Sequence, residues 1–372
     1  MVIAVKKVER QEFLDRYRLV IDSLGHATPA SAAAVAKGLG MPASEVIRCI
    51  YRAPSILVED IDFALAENLS SMLKSIGFTV SIHSLKDCSP TTPKLFELAV
   101  YLKDISRFSE AANRLSSFLG APIDEARKML LTAPGSVLGG VSDATIQSFV
   151  DHMQGSVEVT VCEQDEGLFS IFASDMPSVV RARLMQDIRT QKIDPIGEQG
   201  LIATDVPHEI AQKIWERHKS NTALRIINQS FLRYDILLEP LDALGSVLPD
   251  QQRKCLLENT DIPEDMIDEV VAAAPISVVE SVTHANMRLL MDVFAKVDLK
   301  VRADLITFQH LQLLVSKAES QKRLNEQLVS WGGSPITGAL PQTTIEAYPE
   351  IQARMLQHVL QQQGAEVELA CK

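Results

Sequence analysis

Leu119-Gly120-Ala121-Pro122-Ile123-Asp124-Glu125-Ala126-Arg127-Lys128-Met129-Leu130-Leu131-Thr132-Ala133-Pro134 decides the fold, because the chain repeats its spacing. Leu119-Gly120 lies 14 residues before Ala133-Pro134, and Leu39-Gly40-Met41-Pro42 lies 14 residues before Ala53-Pro54. Pro263 precedes Ala274-Pro275 by the interval that separates Pro42 from Ala53-Pro54. A strand-like run follows each Ala-Pro: Phe78 to Ile82, Ser156 to Val161, and Asp298 to Val301. A fixed period of this kind means one small unit used several times.

The second copy reads most fully. Leu98 to Leu102 is a short apolar run suited to a strand. A helix-period stretch runs from Arg107 to Leu119, and Gly120, free to take positive φ, stops it. Pro122 opens a second helix, where its missing N–H costs nothing. Asp124 and Glu125 complement the dipole of its first turn, and Ala126, Met129 and Leu130 give a buried stripe. Ala133-Pro134 ends the helix, since the residue before proline is pushed out of the α region. Val137 to Val141 is a second strand, with Gly139-Gly140 bending it. Ser142 caps a third helix carrying Ile146, Phe149 and Val150, and Val157, Val159 and Val161 mark a third strand.

The order is β-α-α-β-α-β. The chain then divides into an N-terminal segment plus unit one at 1–83, unit two at 97–163, unit three at 167–228, unit four at 232–302 and unit five at 307–370. Asp62 and Thr283 are the expected third-helix caps of units one and four. Unit three has lost Ala-Pro but keeps Phe169-Ser170-Ile171-Phe172, Asp205 as its cap, and Leu224 to Ile227. Unit five keeps the end of the pattern, with Leu340-Pro341 ahead of Gly364, Val367 and Leu369. The connector His83 to Pro93 is the longest and stiffest, and is the expected place for a bend.

The segment from Pro122 to Pro134, followed by Val137–Val141 and Ser142-Asp143, resembles the C-terminal domain of the bacterial ribosomal stalk protein. That family shows a Lys-Glu-Ala-Lys helix closed by Ala-Pro, a short strand, an N-capped helix ending in Gly-Ala, and a valine-rich strand. Gln363-Gly364-Ala365-Glu366-Val367-Glu368-Leu369 is similar to that ending. The resemblance implies three antiparallel strands with helices on one face, and hence an α+β chain of about five such tandem units. In the family the first two helices present a basic surface to translational GTPases. This chain departs there. The first motif lysine falls on Ser44, Asp124 and Asp265, and the second on Ile47, Arg127 and Asp268.

The 372 residues are 46% apolar and 23% charged, the balance of a globular chain. A net charge of −12 with 5% aromatics argues against a nucleic-acid partner. No run is long and apolar enough to span a membrane, and the charged start Met1 to Arg10 is unlike a signal peptide. Five separated cysteines without CxxC read as reduced thiols, so no disulfide framework, metal or cofactor is expected, and the cytoplasm is the expected location.

Candidate chemistry is sparse. Cys49 and Cys162 read as small buried residues rather than activated thiols. His208-Glu209 and His218 share a helix but lack the i, i+4 spacing of a metal clamp. Asp151-His152 suits a helix C-terminus. Gly139-Gly140 and Gly332-Gly333 sit in no phosphate-binding frame. Arg48, Arg52, Arg127 and Lys128 on the second helices of units one and two are the candidate protein-docking residues, together with Trp331 beside its glycines. The expected function is a non-enzymatic, multivalent interaction or structural protein with protein partners, self-association among them. A translation-associated protein binding a GTPase or the ribosome through units one and two is the alternative. An enzyme with a site at a junction between units is the third class.

Overall fold

The computed structural model describes residues 15–173, 176–196, 200–221, 223–240 and 248–371. The charged start Met1 to Arg10 lies outside them. The described residues form an α+β chain of five successive antiparallel sheets. The first contains β1 (Tyr17–Ser23), β2 (Ser55–Ile61) and β3 (Thr79–Ser84). The second contains β4 (Phe96–Tyr101), β5 (Ser136–Val141) and β6 (Glu158–Glu163). The third contains β7 (Leu168–Ala173), β8 (Leu201–Pro207) and β9 (Leu224–Asn228), and the fourth β10 (Arg233–Leu238), β11 (Ile276–Thr283) and β12 (Val301–Leu305). In the fifth, β13 (His310–Ala318) pairs on one side with β16 (Ala365–Cys371) and on the other with two short pieces, β14 (Gln342–Thr343) and β15 (Tyr348–Pro349). The first strand of each repeat is always the central one.

Repeat one carries α1 (Ala32–Leu39), α2 (Ala43–Tyr51) and α3 (Phe63–Ile76), and repeat two carries α4 (Phe108–Leu119), α5 (Ile123–Leu130) and α6 (Asp143–Met153). Repeat three has α7 (Ser178–Thr190) and α8 (His208–His218). Repeat four has α9 (Asp250–Asn259), α10 (Ile267–Ala272) and α11 (His284–Lys296), and repeat five has α12 (Gln321–Ser330) and α13 (Glu350–Gln362). Repeats one, two and four therefore follow β-α-α-β-α-β. Repeats three and five have, among the described residues, one helix where the reading expected two. In repeat five Gly332, Gly333, Pro335, Gly338 and Pro341 crowd the segment after α12 and leave no uninterrupted stretch for a second helix.

Most of the helix stops and caps stand where the sequence places them. Gly40 and Gly120 take left-handed φ of 66° and 68° at the ends of α1 and α4. Asp62 accepts from Leu65 N at 2.8 Å, and Thr283 accepts from Asn286 N at 3.3 Å. Ser142 stands at its N-cap without a side-chain cap bond. Two expectations fail. Pro207, not Asp205, is the N-cap of α8. Val297 and Asp298 form a turn, with Asp298 at a φ of 57°, and the strand begins only at Val301.

Asp205 does something else, and it does it in register with other repeats. Phe169 pairs with Val206 and Ile171 with Ala203, so two steps on β7 face three on β8. The same extra residue lies between Tyr17–Ile61 and Leu19–Val58, and between Tyr234–Val282 and Ile236–Val279. Each is a β-bulge, and each places one residue in the left-handed region: Asp60 (φ 61°), Asp205 (φ 53°) and Ser281 (φ 56°). Gly140 (φ 66°) holds the matching position in repeat two, where its missing Cβ removes the penalty for that φ.

Opposite the bulge the central strand carries a polar residue: Arg18, Ser170 or Asp235. A bulge withdraws backbone groups from the ladder, and buried groups need replacement partners. Asp235 Oδ1 accepts from the bulge nitrogen of Ser281 at 2.8 Å. In repeat three the carbonyl of the Gln229 amide, oriented toward donors, accepts from Asp205 N at 2.9 Å and Ser170 Oγ at 3.2 Å. In repeat five Gln312 Nε2 donates to the carbonyls of Thr344 (2.8 Å) and Ile345 (3.1 Å), inside the gap between β14 and β15. Arg18 instead turns to the connector, donating to Ser89 Oγ and to the Leu85 carbonyl at 3.2 Å. The start of that connector is thus tied down.

The chain divides into two compact units that cut across repeat two. One comprises the residues to Phe96 with 113–123 and 140–154; the other comprises 97–112, 124–139 and 155 onward. Within the first, the start of α6 docks on the end of α2: Ser142 N donates to the Tyr51 carbonyl at 2.8 Å, and Thr145 Oγ1 donates to the Ile50 and Tyr51 carbonyls. Phe118 and Phe149 meet edge to face at 5.1 Å. Within the second, repeat three packs around Ile171, Leu184 and Ile188, repeat four around Ile236, Leu256 and Phe294, and repeat five around Leu313, Leu328 and Leu356.

Asp235→Ala leaves the Ser281 N–H without its acceptor. Chemical denaturation is expected to show a loss of about 1–3 kcal/mol, whereas Asp235→Asn, which keeps an acceptor oxygen, is expected to lose less.

Candidate functional site

The densest group of buried polar side chains lies within the larger unit, where repeats two, four and five meet. Tyr101 ends β4 and places its hydroxyl against three partners. It bonds Ser281 Oγ at 2.9 Å, accepts from Arg354 Nη1 at 2.8 Å, and donates to Glu350 Oε1 at 3.2 Å. One proton and two lone pairs are thereby used in full. Arg354, one turn after Glu350 on α13, also donates to the Lys103 carbonyl at 2.5 Å. Arg233, at the start of β10, lays its guanidinium over the Tyr101 ring at 4.8 Å. It donates to Glu158 Oε1 at 2.6 Å and Thr160 Oγ1 at 2.9 Å on β6. Its side chain is 4% exposed, and its Nε has no partner.

Two guanidiniums and two carboxylates thus surround one aromatic ring. Burial pushes the Glu350 carboxyl above the ordinary carboxylate range, with Arg354 opposing. Burial, with the Glu350 charge beside it, raises the Tyr101 hydroxyl as well, so the phenol stays protonated. Asp235 is also raised by burial. Beside this cluster Leu130, Pro134, Phe231 and Ile351 line a cavity of about 20 Å³, room for a single water molecule. A protonated phenol, a saturated hydroxyl and a water-sized space make this a clasp between repeats.

The residues singled out in the sequence lie elsewhere. Arg48, on α2, and Arg52, just after it, are exposed in the smaller unit. Arg127 and Lys128 are exposed on α5 in the larger one, where Arg127 pairs with Asp124 at 3.2 Å. Trp331 caps the C-terminus of α12 and packs partly buried against the repeat-five core, so it is no free anchor. His208 and His218 share α8; the first packs on the Phe169 ring at 5.6 Å and the second bonds Asp187 at 2.8 Å. His152 bonds Ser117 Oγ at 2.9 Å. Burial raises the half-buried Cys49 thiol, against activation. Cys162 accepts from Asn228 Nδ2 at 3.0 Å.

Sequence reasoning missed Tyr101, Arg233, Glu350 and Arg354. No local pattern marks these four; the polar residue within an apolar first strand, such as Asp235 in Tyr234-Asp235-Ile236, signals the bulge instead. Among the described residues, no group of three His, Cys, Asp or Glu side chains is placed to hold a metal. Nor is any helix among them long and apolar enough to cross a membrane. No protein-family model and no curated protein matches the chain.

A carboxyl whose pKa is higher folded than unfolded supplies stability below its unfolded pKa and loses it as pH rises through the folded value. Glu350 starts from an ordinary value of 4.5, so its contribution falls as pH climbs from there. Glu350→Gln keeps the shape and removes that dependence. Measured against wild type across a pH series, the variant's denaturation midpoint is expected to gain as pH rises. A constant difference across the series would contradict this assignment.

Proposed function

We propose that the chain is a non-enzymatic scaffold of stalk-like repeats that binds protein partners at several points. The observation that supports this most is the contrast between a repeated interior and divergent helix surfaces. The bulge recurs at Asp60, Asp205 and Ser281, and Gly140 shares their left-handed φ at the matching position. The helix that follows the first in each three-helix repeat changes sign. Arg48 and Arg52 are exposed at α2, and Asp268 and Glu269 at α10. Ionisable groups that converge in the interior are engaged with one another at Tyr101. Those left on the helix faces point to solvent. Several modest faces on one chain multiply affinity through effective concentration.

The test is purification of the intact chain from its native host at low salt, with mass measured by light scattering. The expected result is a stoichiometric assembly, with another protein or with itself, well above the 40.9 kDa of one chain. A lone 40.9 kDa species without companion would overturn the reading.

A further inference from the structure

We propose that the chain associates head to tail, the acidic α10 face of repeat four in one copy seating the basic α2 face of repeat one in the next. This rests on the scaffold reading and names a second copy as one of its partners. On the acidic side, Met266 is 46% exposed and Val270, four residues on, is only half-buried. Asp265 and Glu269, also four apart, flank them as exposed carboxylates. Neither has an ion-pair partner among the described residues, whereas neighbouring Asp268 is held by Arg253. Among the described residues, the core of repeat four is edged by partly buried Ile262, Val270, Val271 and Ile276.

The basic side mirrors this pattern with opposite sign. Ile47 and Tyr51, four apart and half-buried, run beside exposed Arg48 and Arg52, also four apart. Neither arginine forms an ion pair among the described residues. Residues four apart lie one above the other on α2, while Asp265 and Met266 stand in the short 3₁₀ turn that leads into α10 and Glu269 and Val270 on α10 itself, so each side presents apolar residues beside charged ones. Two basic faces repel, as do two acidic ones, so a two-fold self-pairing of either face is disfavoured. Only the unlike faces match. Unlike faces on one chain make a heterologous contact, which propagates from copy to copy.

Sedimentation velocity on the full chain tests this. At about 50 mM salt the mean mass is expected to climb with concentration, and at about 0.5 M salt, where screening is short-ranged, to fall back. Arg48→Gln with Arg52→Gln, and separately Asp265→Asn with Glu269→Gln, each removes one face by deleting its charge. Each double variant alone is expected to associate about tenfold or more weakly, with wild-type thermal unfolding showing that the fold is kept. Each retains the face the other lacks, so their mixture is expected to form a one-to-one dimer and stop there. A wild-type chain that stays monomeric at every concentration in low salt overturns the proposal, as does a mixture that fails to pair. A monomeric chain that still purifies with a different stoichiometric protein would sink this inference and leave the scaffold reading standing.

Discussion

One extra residue in the second strand constrains much of the rest. A bulge withdraws backbone groups from the ladder, and inside a packed sheet those groups must be bonded again. The chain meets that need from the central strand, with Asp235 for Ser281 and Gln312 for the gap at Thr344 and Ile345. Repeat three adds a relay through Gln229. In repeats three and four the two features support each other. A polar residue mid-strand is costly without a partner, and a bulge is costly without a polar residue opposite it. The bulge residue is also turned toward other parts of its unit. Ser281 reaches Tyr101, and Asp60 pairs with Arg16 at 3.0 Å. The device that bends each edge strand therefore also supplies a lateral contact.

The Tyr101 clasp extends the same logic to charged groups. Removing Arg233 and Glu350 from water, and partly burying Arg354, carries a desolvation cost that a simple apolar junction would not. Close geometry offsets it: Arg233 meets Glu158 at 2.6 Å, and Arg354 meets the Lys103 carbonyl and the Tyr101 hydroxyl together. Such a cluster tolerates little sliding, because a shifted repeat leaves a buried charge alone. Apolar contacts alone, such as Phe172 on Phe308 at 4.7 Å, would tolerate small displacements more readily. Polar pairing fixes the register of repeats two, four and five, while the apolar cores supply the bulk of the cohesion.

Legibility in the sequence followed the range of the interactions. Helix stops at Gly40 and Gly120 and caps at Asp62 and Thr283 depend on residues within one turn, and all could be read. The α+β class and the number of units followed from the repeat. Asp205 misled because aspartate suits both an N-cap and a left-handed bulge, and only strand pairing separates the two. The single helix in repeats three and five is obscure in sequence because neither repeat has the Ala-Pro that marks the end of a second helix. The clasp was out of reach: Tyr101 and Arg354 are separated by 253 residues, and no local pattern announces their meeting.

The division into two compact units follows from where repeat two places its contacts. Thr145 and Ser142, at the start of α6, bond the end of α2, so that helix belongs with repeat one. Tyr101, at the end of β4, belongs with repeats four and five. A repeat whose parts are bonded in two directions cannot detach as a separate bead, because freeing it breaks hydrogen bonds on both sides. Sequence period and packing unit therefore differ in this chain. The repeats define what is copied, and the polar contacts of repeat two accompany the division by packing. The exposed charges of α2 and α10 can change sign without disturbing the bulges or the clasp, because they take part in neither.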